Sequence, residues 1–241
     1  VLASPAASHV ADAAAATAAG VAVLVEKPPA PDAAGAAALV ALDPAPSVGF
    51  NRRFDPAVRA LRDRVPADGA VHLDLVIHYR RASWGAAAVR DEVLVDLGPH
   101  LVDWARWLTG GEIDAVLSAE LAPDRASVEL ALPRGTARLQ AAADRLHREV
   151  IDVRDAAGRS VARHAVGGPV AAVTGRLAGG PHPLVTSLAA QLDAFARTVT
   201  GEPDPDLGTA ADGHATMVVL DAARTAAATG RPVPLPDPPR S

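Results

Sequence analysis

Two charged side chains at a strand's end, and a carboxylate and imidazole one helical turn apart, are the groups here whose types and spacing could do chemistry. Glu26-Lys27-Pro28 follows an unbroken apolar run, Val21-Ala22-Val23-Leu24-Val25. A run apolar on both faces is the pattern of a strand buried in a parallel sheet. Pro28 cannot donate to a ladder, so the strand is expected to stop there. Lys27 would then stand at the carboxyl edge of the sheet, where open α/β sheets bind their ligands. An ammonium at such an edge suits proton transfer or polarisation of an oxygen. The second group is Asp96-Leu97-Gly98-Pro99-His100-Leu101-Val102-Asp103. Asp96 and His100 are four apart and can meet if that turn is helical. A carboxylate beside an imidazole fixes its tautomer and raises its basicity, which suits a general acid/base for an alcohol or carbonyl. No third ligand has the spacing to make a metal site of this pair.

Each group also has an ordinary structural reading. A Lys before Pro is often a solvated strand end, and Gly-Pro-His is often only a helix start. Asp103 can be a solvated helix residue. His72, His78, His147, His164, His182 and His214 fall on polar faces or in loops and read as surface residues.

The elements that must position these groups follow from the pattern. Val1-Leu2-Ala3 reads as the inside of a strand, Ser8 as an N-cap, His9 to Ala19 as a helix and Gly20 as its C′ residue. With the run at 21–25 this makes one right-handed βαβ unit. One unit cannot make a doubly wound sheet, so the chain is expected to be an N-terminally shortened piece of a larger protein, or a sequence given a wrong start. Asp32 to Leu42 is helix-prone, and Ser47 to Phe50 is a further short strand. Asp55-Pro56 opens a helix, with Asp as cap and Pro at the first position. From residue 70 the period changes to two: Val71, Leu73, Leu75, Ile77 and Tyr79 alternate with His72, Asp74, Val76 and His78. Similar stretches recur at 113–120, 126–132, 135–142, 149–154 and 159–164, which predicts an antiparallel sheet open on one side. Pro99 fits the first turn of a helix whose core stripe is Leu97, Leu101, Trp104 and Leu108. Residues 166–183 read as a loop, 184–200 and 209–228 as helices, and the Pro-rich tail from Pro232 as extended or disordered.

Composition narrows the function classes. The chain has 241 residues, 49% hydrophobic and only 3% aromatic, so its core must be built from Ala, Val and Leu. A net charge of −5 without a basic stripe argues against a nucleic-acid partner. Without cysteine there is no disulfide, thiolate chemistry or Cys-ligated metal. No apolar run reaches the about 18 residues that span a membrane, and the start lacks the basic n-region of a signal peptide. A soluble cytoplasmic protein is the default expectation.

The motifs together resemble a known family. Ser4-Pro5, His9, Gly20 and Val23-Leu24-Val25-Glu26-Lys27-Pro28 resemble the second half of the dinucleotide-binding domain of the Gfo/Idh/MocA oxidoreductases, which include glucose–fructose oxidoreductases and inositol dehydrogenases. Gly49 to Pro56 looks like that family's entry into its second domain, and Asp96 to Asp103 like its Asp-x-x-x-His-x-x-Asp motif. Gln191 to Phe195 and Asp212-Gly213-His214-Ala215 resemble its closing helices. The likeness runs in order along essentially the whole chain. It implies an α/β fold: the C-terminal part of a Rossmann-type parallel sheet domain (1–47), then an α+β substrate and oligomerisation domain with a large, mostly antiparallel sheet (48–241). It implies NAD or NADP as cofactor and a sugar- or cyclitol-like substrate oxidised or reduced at a secondary alcohol or carbonyl. Lys27 would stand beside the nicotinamide and the reacting hydroxyl, His100 would transfer the proton, and Asp96 would orient it or bind substrate. Ser4, Pro5 and Glu26, and Arg53 nearer the domain junction, match positions lining the nicotinamide half of the cofactor site. Lys27 and His100 are expected to converge on one pocket.

Two departures from the family pattern stand out. The Gly-rich fingerprint and the acidic residue after the second strand are missing. Those features cradle the pyrophosphate and read the ribose. The chain alone is therefore expected to bind NAD(P) weakly or not at all, and Val1–Ala3 and Val21–Val25 are expected to have unpaired edges. Asp91-Glu92-Val93 stands where many relatives carry a Gly-rich run, and Trp84 with the loop 81–95 is expected to shape the pocket. Two rival readings share the same residues: a glycoside-cleaving relative that uses NAD for transient oxidation, and a non-catalytic scaffold or binding protein. Relatives often pair the open faces of their sheets, and the apolar residues of 126–142 are expected to serve a homo-oligomer in that way.

Overall fold

A computed structural model of the chain describes residues 1–81, 92–167 and 183–236. Trp84, His182, most of the segment 81–95, the segment 168–182 and the last five residues lie outside the described residues. The chain divides into two compact units: Val1–Val58 with the described part of 181–221, and the described parts of 59–180 and 222–241.

The first unit is built on a small, mostly parallel sheet. Strand β1 (Leu24–Glu26) pairs in parallel with β2 (Ser47–Gly49), in the register Glu26 opposite Gly49. Leu2 forms a parallel bridge to Val25 on the other side, its N–H donating to the Leu24 carbonyl and its carbonyl accepting from Glu26 N–H, each at 2.8 Å. Both sides of β1 are thus occupied, contrary to the expectation of an unpaired edge there. The strand also lies further along than the apolar run suggests and includes Glu26, while Val21 is exposed. Strand β9 (Gly208–Thr209) adds antiparallel to β2.

Helix α1 (Ala6–Ala18) starts two residues before the expected cap. Pro5 takes that place, and the Ser8 hydroxyl turns back onto the Pro5 carbonyl from within the first turn. Gly20 ends it with a φ of 71°, a left-handed conformation that costs glycine little. Helix α2 (Ala33–Val40) is capped by Asp32, whose side chain accepts from Gly35 N–H at 2.8 Å. Ala13, Val23, Val25 and Leu39 close one small core. Leu24, Phe54, Ala194 and Leu207 close a second, with Ala194 on helix α5 (Pro183–Val199).

The second unit is a seven-stranded sheet in the order β10-β4-β5-β6-β3-β7-β8. Its strands are β3 (Val71–Arg80), β4 (Ala115–Ala122), β5 (Arg125–Leu132), β6 (Gly135–Ala142), β7 (Asp144–Arg154), β8 (Ser160–Gly167) and β10 (Val233–Pro234). All pair antiparallel except β3 with β6. The alternating pattern fixes the faces. Leu73, Leu75 and Ile77, Ala137, Leu139 and Ala141, and Ala126, Val128 and Leu130 are buried on one side. Helix α4 (Val93–Thr109) packs on β3, β5 and β6. Ala126, Val128, Leu130, Ala137, Leu139 and Ala141 therefore face α4, while Ala131 and Ala142 alternate to the other face. The other face carries His72, Asp74, Glu129, Arg138, Asp152 and Arg154. In the tail, Val233 and Pro234 pair with Val116 and Ala115 at the sheet's edge, where a proline's missing donor is tolerated.

Helix α4 begins at Val93 behind Glu92, so Pro99 sits in its interior and not in its first turn. The fixed φ of proline suits a helix. Its cost is one missing N–H for the Val95 carbonyl, which burial of nearly the whole helix outweighs. Every residue from Leu97 to Leu108 is buried. Asp103 is 1% exposed, not solvated, and His78 at 7% is no surface histidine.

Candidate active site

Three segments of the first unit run in parallel and end at one edge: Ser4-Pro5 after the Leu2 bridge, Glu26-Lys27 at the end of β1, and Gly49-Phe50 at the end of β2. Ser4 is exposed; its hydroxyl donates to Asp12 at 3.2 Å and accepts from Ser8 at 2.9 Å. Its carbonyl lies 2.7 Å from Nε2 of His9, which is 1% exposed. A carbonyl can only accept, so Nε2 carries the proton. His9 thus anchors the turn that carries Ser4 and Pro5, a role the sequence pattern alone does not reveal.

Glu26 is half-buried, and burial raises its pKa above the ordinary carboxylate value. The Lys27 charge, the Lys27 backbone N–H and His9 act in the opposite sense and do not overcome it. A Cβ at Gly49 would lie 3.2 Å from the Glu26 carboxyl carbon and one of its oxygens. Glycine there makes room for the carboxyl group. Lys27 is half-buried, and its peptide bond to Pro28 is cis. Arg53 stands on the 3-10 turn Asn51–Phe54 that follows β2. It is 4% exposed, pairs with Asp212 at 3.2 Å and lies 5.2 Å from the centre of the Phe50 ring. Asp212 in turn exchanges hydrogen bonds with Thr209 at the start of helix α6 (Ala210–Thr229). Arg53 therefore ties the turn to that helix.

The second unit holds the acid and the imidazole. Asp96 lies in the first turn of α4 and His100 one turn further on, 5% exposed. The Tyr79 hydroxyl donates to Asp96 Oδ2 at 2.6 Å. Arg81 Nε donates to the same phenol oxygen at 3.3 Å, and Arg81 Nη1 lies 3.5 Å from Asp124. Burial first, and then the bond to Asp96, hold the Tyr79 pKa above the usual tyrosine value. Sequence reading places Tyr79 merely on the apolar side of β3. The available signal was its hydroxyl, since a buried phenol O–H requires a partner. Next to it His78 is held below the ordinary histidine value, by burial first and then by Arg145 and Arg148.

The structure thus brings Ser4, Pro5, Glu26 and Lys27 to one sheet edge, and Asp96 and His100 to consecutive turns of one helix. Among the described residues no three His, Cys, Asp or Glu side chains gather as a metal site. No helix among them is long and apolar enough to cross a membrane.

No protein-family model matches the chain. It is 37% identical over 123 residues to inositol 2-dehydrogenase 4 of Saccharopolyspora erythraea, a match covering 48% of this chain and 36% of that protein. The aligned region spans about a third of that relative's length. Two solved structures share the fold. GenD2 from gentamicin A biosynthesis, in complex with NAD, is 21% identical with a TM-score of 0.75, over 97% of this chain and 77% of that one. Myo-inositol dehydrogenase from Lactobacillus casei, in complex with NAD(H) and myo-inositol, is 17% identical with a TM-score of 0.76, over 99% of this chain and 77% of that one. A parallel edge bearing Glu26-Lys27, and a mostly antiparallel sheet whose helix bears Asp96 and His100, define an α/β fold with a second, sheet-based part, the fold of these two structures. These similarities support the resemblance of the chain to the Gfo/Idh/MocA oxidoreductases.

Proposed function

We propose that the chain acts in an NAD(P)-dependent oxidoreductase that interconverts a secondary alcohol and its ketone on a sugar- or cyclitol-like molecule. The observation that carries this reading is the acid and imidazole on consecutive turns of α4, His100 buried and the Asp96 carboxylate held by Tyr79 at 2.6 Å. The similarity to an inositol 2-dehydrogenase supports the substrate class. The donor set at the parallel edge fits the nicotinamide end of the cofactor: an ammonium, a hydroxyl, a proline ring and a carboxyl where open α/β sheets hold ligands. The fit is to that end alone, because the sequence holds no Gly-x-Gly-x-x-Gly for a pyrophosphate. When bound, the nicotinamide supplies hydride transfer.

The residues of this chain handle the rest. His100 takes the hydroxyl proton during oxidation and returns it during reduction. Asp96 orients the imidazole and accepts a hydrogen bond from a substrate hydroxyl. Lys27 stabilises the alkoxide character that develops on the reacting oxygen. Ser4, Pro5 and Glu26 would hold the nicotinamide end of the cofactor, and Arg53 would support that side from the turn after β2. The test is a panel of inositols and aldoses assayed with NAD and NADP, on wild type and on His100→Ala and Lys27→Ala. Both variants should lose turnover by about 10²- to 10⁴-fold, with NAD(P)H affinity nearly unchanged. Absence of turnover on every polyol by protein that binds NAD(P)H, or a His100→Ala variant as active as wild type, would overturn the reading.

A further inference from the structure

Tyr79 and Arg81 have no place in the motif that points to Asp96 and His100, yet both are joined to Asp96. We infer that Tyr79, backed by Arg81, is a positioning residue that holds the Asp96 carboxylate as a hydrogen-bond acceptor. The inference rests on the oxidoreductase reading above and adds a residue to its machinery.

The argument is one of donor order. A guanidinium N–H can only donate, so Arg81 Nε, at 3.3 Å, takes an acceptor position on the phenol oxygen. The phenol's one proton is then directed at Asp96 Oδ2, 2.6 Å away, a short, charge-assisted bond. Asp124, 3.5 Å from Arg81, holds the far end. The row Asp124–Arg81–Tyr79–Asp96 thus has one polarity. The raised Tyr79 pKa, from burial and then from Asp96, keeps the phenol a donor through neutral pH. Glu92 lies one turn before Asp96 on α4 and His100 one turn after. The side chains of β5 and β6 on the α4 side, Ala126, Val128, Leu130, Ala137, Leu139 and Ala141, carry no charge. A hydrogen bond to the ionised form favours that form. Loss of the phenol proton should therefore let Asp96 take up a proton more readily.

The experiment uses Tyr79→Phe, which keeps the ring and removes only the hydroxyl, with Asp96→Asn and the double variant. Two readouts are taken: polyol oxidation across pH, and titration of the Asp96 carboxyl carbon by NMR, assigned by its loss in Asp96→Asn. In Tyr79→Phe the carboxyl titration should move to higher pH by about half a unit or more. The acid limb of kcat/KM should move with it, kcat should fall about tenfold and KM should change by less than about twofold. The double variant should be no worse than Asp96→Asn alone. A carboxyl titration that does not move overturns the inference, whether or not the protein turns over a polyol. So do losses that multiply in the double variant. A wild type that binds NAD(P)H but oxidises no polyol, with the titration still shifted in Tyr79→Phe, would remove the oxidoreductase reading and leave the coupling of Tyr79 to Asp96 standing.

Discussion

Glu26 shows how one buried atom group sets a pH response. It ends a parallel strand opposite Gly49, where the missing Cβ leaves room for its carboxyl. Burial raises its pKa above the ordinary value, against the pull of Lys27. A carboxyl with a raised folded-state pKa holds its proton longer in the folded chain than in the unfolded one. Its contribution to stability is complete below the unfolded value and is lost as pH rises through the folded one. At neutral pH the charge is therefore a cost. Glu26→Gln should raise the urea midpoint relative to wild type at pH 7, and the gap should close as pH falls towards the ordinary carboxylate range. Urea titrations of both proteins at several pH values check this. A gap independent of pH would mean that burial of the charge is not what the glutamate contributes.

Among the elements, the parallel contact of β3 and β6 in the middle of the larger sheet is the least forgiving. Gly135 opens β6 beside Val71 with a φ of 147°, and a Cβ there would overlap the Val71 carbonyl. Gly158, in the turn between β7 and β8, also has a positive φ, 75°, but a Cβ there would meet nothing. Gly158→Ala should cost about 1 kcal/mol, from the left-handed backbone alone. Gly135→Ala should cost about 3 kcal/mol or more, because strain and overlap combine. Equal costs by chemical denaturation would mean that the overlap is relieved without moving β3. The six longer strands, β3 to β8, are legible in the sequence, since period two marks each, whereas the two-residue β9 and β10 are not. That β3 pairs with β6 and β7 is not legible either, because the partners lie far away along the chain and no local signal names them. The start of α4 is hidden for a related reason. Pro99 carries the local signal of a first turn, yet packing against the sheet extends the helix back to Val93. The same packing buries Asp103, which its type alone assigns to solvent. Of the candidate residues, the placement of Lys27 at a strand end and of Asp96 and His100 one helical turn apart is legible, because charge at a strand end and four-residue spacing are local facts. Tyr79 and His9 are not, because each matters through a partner that only the fold brings near.

Over the whole molecule charge is held largely as pairs, and those on the outer face of the larger sheet are unequal. Arg138 with Glu129 and Arg125 with Asp144 each lie at 2.7 Å but are well exposed, so each contributes about 0–1 kcal/mol and is screened by salt. Asp152 differs: it is 3% exposed, accepts from Arg154 at 2.6 Å and from the Ser160 hydroxyl at 2.5 Å. Arg154 also reaches Asp74 at 3.2 Å and is itself partly exposed, so loss of Asp152 would not strand a buried charge. The exposed pairs should make stability insensitive to ionic strength, with about 1 kcal/mol or less lost between low salt and 0.5 M NaCl. Asp152→Ala should cost about 1–3 kcal/mol, while Asp152→Asn, which can still accept from Ser160, should cost less. Urea unfolding at two salt concentrations separates the contributions. If salt alone destabilised the protein as much as Asp152→Ala does, the exposed pairs would be supporting the sheet face and the buried carboxylate would have no special part in it.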